Sequence, residues 1–178
     1  IQAGRVRDVV TSRRQLGIDA GVDPEFAEQL FRVLLAEKGA GFRAEGGKLL
    51  VGEHALNDDG DVVDRMKRLT GGAATVFMGD TRVSTNIVKE DGSRATGTKL
   101  AAPVREALFD RGEPFEGETE VLGSRYLTRY EPIKDASGKT IGALSVGERK
   151  SDFFGSFGRI RLVAVAVAAL MAAVFGVL

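Results

Sequence analysis

This chain has no cysteine and no tryptophan, one histidine, two tyrosines and four prolines in 178 residues. Without cysteine there is neither a disulfide framework nor a thiolate metal site, so the usage of that residue assigns no compartment. His54 alone cannot make a zinc centre, and no serine elbow or helical metal pair accompanies it. It reads as a surface or edge histidine. Charge of one sign is also lacking: 25 basic and 25 acidic residues balance. No global field therefore argues for nucleic acid. Paired catalytic carboxylates and a glycine-rich phosphate loop ahead of a helix are missing too. Gly71-Gly72 follows a helix and precedes a strand, the wrong order for a phosphate cradle.

What the chain does have is an uncharged apolar run at its end, LVAVAVAALMAAVFGVL over 162–178. A membrane span needs roughly 20 apolar residues to cross a ~30 Å hydrocarbon core. Counting from 160, with Arg161 snorkelling at the boundary, the run is long enough. We expect a transmembrane helix at 160–178, truncated at the chain end. Opening on Ile1 and closing inside an apolar run, the sequence reads as a piece of a longer protein. Arg149, Lys150, Arg159 and Arg161 precede the run, and basic flanks mark the cytoplasmic side when both flanks are compared.

Ahead of the run the grammar is that of one domain. Residues 3–20 place Val6, Val9, Val10 and Leu16 at helical spacing, an amphipathic helix within a separate 1–21 unit. Asp23-Pro24 caps and starts a second helix. Phe26, Leu30, Phe31, Leu34 and Leu35 give it an apolar stripe until Gly39. A short strand follows at 48–51, then a turn at 57–60 and a helix at 61–69. Strands are expected at 74–78 and 82–88, a polar loop at 89–97 and a helix at 103–110. Three more strands at 118–122, 125–133 and 140–146 follow, the last two joined by a turn at 135–138. Turns this short exclude parallel crossovers. The fold class is α+β: a central antiparallel sheet with N-terminal helices and one inserted helix, the domain running from 22 to 150.

Side chains alternate along a strand. On 125–133 one face carries Tyr126, Thr128, Tyr130 and Pro132, so both tyrosines of the chain project together. On 82–88 the alternation sets Arg82, Ser84, Asn86 and Val88 against Val83, Thr85 and Ile87. Two readings stay open from pattern alone. These residues wall a small polar cavity, with a bound carboxylate as partner for Arg82, or they form the wet face of an antiparallel sheet.

The stretches GGAATVFMGDTRVSTNIVKEDGSRATGTKL (71–100), GETEVLGSRYLTRYEPIKDASGKTIGALSVG (117–147) and, more weakly, KGAGFRAEGGKLLVG (38–52) resemble the single Cache sensor domains of bacterial methyl-accepting chemotaxis proteins and related receptors. The resemblance implies a PAS-like fold with a small-molecule pocket on one side of the sheet. It implies a periplasmic domain on the inner membrane, working as a homodimer and passing ligand-induced shifts through the membrane helix to cytoplasmic signalling modules beyond the chain. Citrate-type sensors of this broad fold hold a carboxylate with an Arg-x-x-His pair and a basic pair before Pro-Ile. Here Arg82 keeps the arginine, Thr85 stands at the histidine, and Thr128 and Tyr130 stand at the basic pair. The implied ligand is smaller or less charged than a di- or tricarboxylate, such as a small carboxylate. The candidate ligand-binding residues are Arg82, Thr85, Asn86, Tyr126, Thr128 and Tyr130. No catalytic residue, metal, cofactor or nucleic-acid partner is expected.

Residues 5–37 also resemble the latter part of the all-helical chorismate mutase family, including the GVDPEF turn. That family's first helix, with two catalytic arginines, has no counterpart here. The alternative to a sensor is thus a fragment of, or fusion with, a mutase-like enzyme. A blander third reading is a membrane-tethered structural domain.

Overall fold

The computed structural model describes residues 22–150. The amphipathic helix expected at 3–20 and the apolar span expected at 160–178 lie outside the described residues. Among those described, no helix is long and apolar enough to cross a membrane.

Helix α1 (Pro24–Ala36) starts where the sequence sets it. The Asp23 carboxylate accepts from the Phe26 amide at 3.0 Å, and proline fills the first turn. Its stripe buries Leu30, Phe31, Leu34 and Leu35. A small antiparallel sheet follows, β1 (Phe42–Glu45), β2 (Lys48–Val51) and β3 (His54–Ala55), of which the sequence reading had only the middle strand. Helix α2 (Asp61–Thr70) buries Val62, Val63 and Met66 and stops at Gly71, whose φ of 81° is left-handed.

The main sheet has five antiparallel strands: β4 (Ala73–Met78), β5 (Thr81–Thr85), β6 (Phe115–Val121), β7 (Ser124–Lys134) and β8 (Thr140–Arg149), in the order β5-β4-β8-β7-β6. The expected central antiparallel sheet is present, and the arrangement is PAS-like. Chain-adjacent hairpins flank a β8 inserted beside β4. The inserted helix also forms, but in two parts: α3 (Ala102–Arg105) runs into a π-helix over Glu106–Arg111.

Each face of the sheet has its own core. One face packs Val76, Leu144, Val146 and Ile133 against Phe31, Leu35, Val63 and Met66 of α1 and α2. The other packs Phe77, Ala143 and Tyr130 under Leu100, Val104 and Leu108. That second layer is built by the long connection between β5 and β6, and it covers the candidate site.

Strand β5 corrects the expectation of 82–88 in two ways. It ends at Thr85. It also carries a bulge, because Phe77 pairs with Arg82 while Val76 pairs with Ser84, leaving Val83 as the extra residue. The connection that follows is a strap and not merely a polar loop. It returns along the outer edge of β5, with Arg82 N–H donating to Thr98 at 2.9 Å and Gly97 N–H donating to Arg82 at 2.8 Å.

Candidate functional site

The register of the sheet places the candidate side chains on one face. Partners across antiparallel strands point to the same side. One row runs Arg82, Phe77, Ala143, Pro132; the next runs Thr85, Thr75, Ser145, Tyr130, Phe115. Beyond them come Ala73, Gly147, Thr128 and Gly117, then Arg149, Tyr126 and Thr119. The bulge matters here. Uninterrupted alternation sets Arg82 and Thr85 on opposite faces, whereas the extra residue at Val83 brings both to this one.

Arg82 is 4% exposed, and its Nε and Nη1 are buried with no hydrogen-bond partner. Its guanidinium carbon lies 5.3 Å from the centroid of the Phe77 ring. Burial pulls its pKa down, and Tyr130 and Tyr126 pull it part of the way back. A guanidinium remains charged at neutral pH all the same. A buried charge without a partner is costly, so this one points to a partner of opposite sign.

Around it stand hydroxyl groups. Thr75 and Thr85 share a hydrogen bond at 2.8 Å. Thr119 links Thr128 at 3.1 Å with the Tyr130 hydroxyl at 3.4 Å. Thr128 also donates to the Gly117 carbonyl at 3.0 Å. Tyr126 receives Arg149 at 3.4 Å, and the Arg149 guanidinium carbon sits 5.8 Å from its ring centroid. Tyr130 is held by Phe77 and Phe115, with ring centroids 6.0 and 6.1 Å away. Every strand carboxylate of β6, β7 and β8 (Glu116, Glu118, Glu120, Glu131 and Glu148) falls on the opposite face by register.

Five of the six sequence candidates therefore share this face: Arg82, Thr85, Tyr126, Thr128 and Tyr130. Asn86 does not join them. Its Oδ1 accepts from Ala74 N–H at 3.0 Å, and its amide nitrogen donates to Val63 at 2.8 Å and Gly72 at 3.3 Å. It is a strut between β4 and α2. The residues the sequence reading passed over are Thr75, Thr119 and Phe77. Thr119 had a legible signal, since alternation from Tyr126 across a two-residue hairpin turn lands on it. His54 sits on β3 with Nε2 2.6 Å from Asp59, far in the chain from this face.

A separate cavity of about 120 Å³ lies on the helix-covered side, between Pro24, Ala27, Gly72, Ala73, Leu127 and Val146. Its charged lining residues, Asp23 and Glu148, are both acids already engaged with backbone amides. It offers an anion nothing.

A family model described as single Cache domain 3 matches residues 54–159, more than half of the chain. No curated protein matches. Among solved structures, the chain is similar to the E. coli DcuS sensor domain, at 17% identity over 86% of this chain and 98% of that one, with a TM-score of 0.41. The match that includes β4, the bulged β5 and the β6–β8 meander shows that this chain belongs to the single Cache domain 3 family of sensor domains.

Proposed function

We propose that this Cache domain is the extracytoplasmic sensor of a membrane receptor, and that it binds a small anion through Arg82. The observation that carries the reading is the buried guanidinium with two unpartnered nitrogens on a hydroxyl-lined face. Thr85, Tyr126, Thr128 and Tyr130 surround the ligand, with Thr75 and Thr119 beside them. Asn86 holds the wall and stays out of contact.

Ligand entry and signalling both involve the covering layer. Leu100, Val104 and Leu108 lie over the site, and π-helical turns such as Glu106–Arg111 recur at functional positions. A ligand shifts the domain by its differential affinity for two states. Strand β8 carries that shift from Ser145 to Arg149, and the chain then continues to the apolar run at 160–178. That run anchors the receptor in the inner membrane, a homodimer partner pairs with it, and cytoplasmic modules beyond the chain read it out. A purely structural domain leaves the orphaned guanidinium unexplained. Among the described residues nothing favours the mutase alternative: the only cation on α1, Arg32, is paired with Glu28 and Glu131.

A thermal-shift screen of small anions on the 178-residue chain in detergent tests binding; stabilisation by at least one, lost in Arg82→Ala, is expected. Placement is tested separately. The chain has no cysteine, so Ser137→Cys in the exposed β7–β8 turn reports its side of the membrane, and labelling of intact cells by an impermeant maleimide is expected.

A further inference from the structure

We infer that the Arg82 site selects a small monocarboxylate and rejects both dicarboxylates and zwitterionic amino acids. The inference rests on the reading of Arg82 as an anion site and adds the chemistry of the rest of the ligand.

Charge balance carries it. A monocarboxylate neutralises one guanidinium, and Arg82 is the one cation buried on this face among the described residues. Two further cations reach this side, Lys134 beside Gly112 of the covering segment and Arg149 against Tyr126, and both are exposed. A second carboxylate close to the first thus meets hydroxyls and aromatic carbon, and no buried countercharge. An ammonium group fares no better. The strand acids of β6–β8 point to the other face. Those of the covering segment, Glu90, Asp91, Glu106, Asp110 and Glu113, are exposed to solvent. Burying either extra charge unpaired is expensive.

Size carries the rest. Thr85 is 0%, Tyr130 4% and Tyr126 5% exposed, so these side chains are shut off from solvent and leave room only for a small ligand. The carbon body of the ligand rests on small and aromatic residues, Ala143, Phe77 and Phe115, while the hydroxyls of Tyr126, Thr128 and Tyr130 accept or donate to a hydroxy or keto substituent.

The test is calorimetric titration of the 178-residue chain in detergent at pH 7 with propionate, lactate, succinate, alanine and the neutral isostere propionamide. Propionate or lactate is expected to bind, with succinate and alanine at least roughly tenfold weaker and propionamide silent. Succinate or alanine binding as tightly as the monocarboxylates, and losing affinity in Arg82→Met, overturns the ligand class while leaving the anion site standing. Undiminished monocarboxylate affinity in Arg82→Met overturns the site itself. Absence of binding by both monocarboxylates overturns the inference. If Arg82→Met fails to fold, Arg82→Lys keeps the charge without the planar fork, and an unchanged affinity there counts against the site equally.

Discussion

Phe77 and Arg82 are cross-strand partners, and the guanidinium carbon of one lies 5.3 Å from the ring centroid of the other. The aromatic face is what the protein supplies to Arg82 in place of a carboxylate. A desolvated cation–π contact contributes about 2 kcal/mol, less than a charge with two unpartnered nitrogens loses on burial. Arg82→Met is therefore expected to stabilise the ligand-free domain, by about 1–3 kcal/mol on the scale of an unsatisfied buried group, while removing ligand-induced stabilisation. Urea unfolding with and without ligand measures both. A destabilised ligand-free variant argues that the guanidinium is structurally satisfied.

Thr119 joins two of the site hydroxyls, and its replacement by valine keeps the shape while removing the oxygen. The expected loss is about 1 kcal/mol for one neutral hydrogen-bonded group. Ligand affinity falls as well, because Thr128 and the Tyr130 hydroxyl lose a shared partner. Equal affinity in wild type and Thr119→Val, measured by calorimetry, contradicts the hydroxyl chain's part in recognition.

Asn86 separates a strut from a ligand contact. Its amide serves three backbone groups of β4, α2 and the segment between them. Asn86→Ala leaves buried backbone donors and acceptors unpaired, and a cost of about 2–3 kcal/mol is expected. Affinity of the folded fraction for the ligand is expected to hold within about twofold, since the side chain faces away from Arg82.

Asp64 and Arg94 pin the strap to α2. Nη1 and Nη2 of Arg94 donate to the carboxylate at 3.0 and 2.7 Å, and Nη1 also donates to the Thr85 carbonyl at 2.6 Å. The hydrogen bond from Arg94 holds the Asp64 carboxyl below its ordinary value of 3.8. A depressed native pKa stabilises the fold above the unfolded value, and that contribution is lost as pH falls through the native one. Acid unfolding as pH falls below the ordinary aspartate value of 3.8 is expected to be shallower in Asp64→Asn than in wild type. Identical acid profiles exclude this latch.

The sequence was most informative where local chemistry and tertiary need coincide. Asp23-Pro24 with the Leu30, Phe31, Leu34 stripe defined α1, and alternation along 125–133 put Tyr126, Thr128 and Tyr130 on one face. The partnering of Arg82 with Thr85 was not legible, because it depends on a bulge at Val83 that only pairing with Val76 and Phe77 creates. The strap was equally hidden: 89–97 is polar, and its bonds to β5 are backbone bonds joined by one from the Arg94 side chain to Thr85, which polarity alone does not mark. The β1–β2 hairpin had a signal that went unused. Gly46 and Gly47 take φ of 57° and 75°, the positive pair that a two-residue hairpin turn demands. The π-helical widening at 106–111 followed from no local residue choice.

The most direct test of the account is the state of the Arg82 side chain itself. In arginine-labelled protein the Arg82 Nε–H resonance, assigned by its disappearance in Arg82→Lys, reports whether that donor has a partner. The account predicts a large downfield shift on saturation with a bound monocarboxylate, with the other arginines unmoved by comparison. An Nε–H signal that stays in place while ligand binds contradicts it.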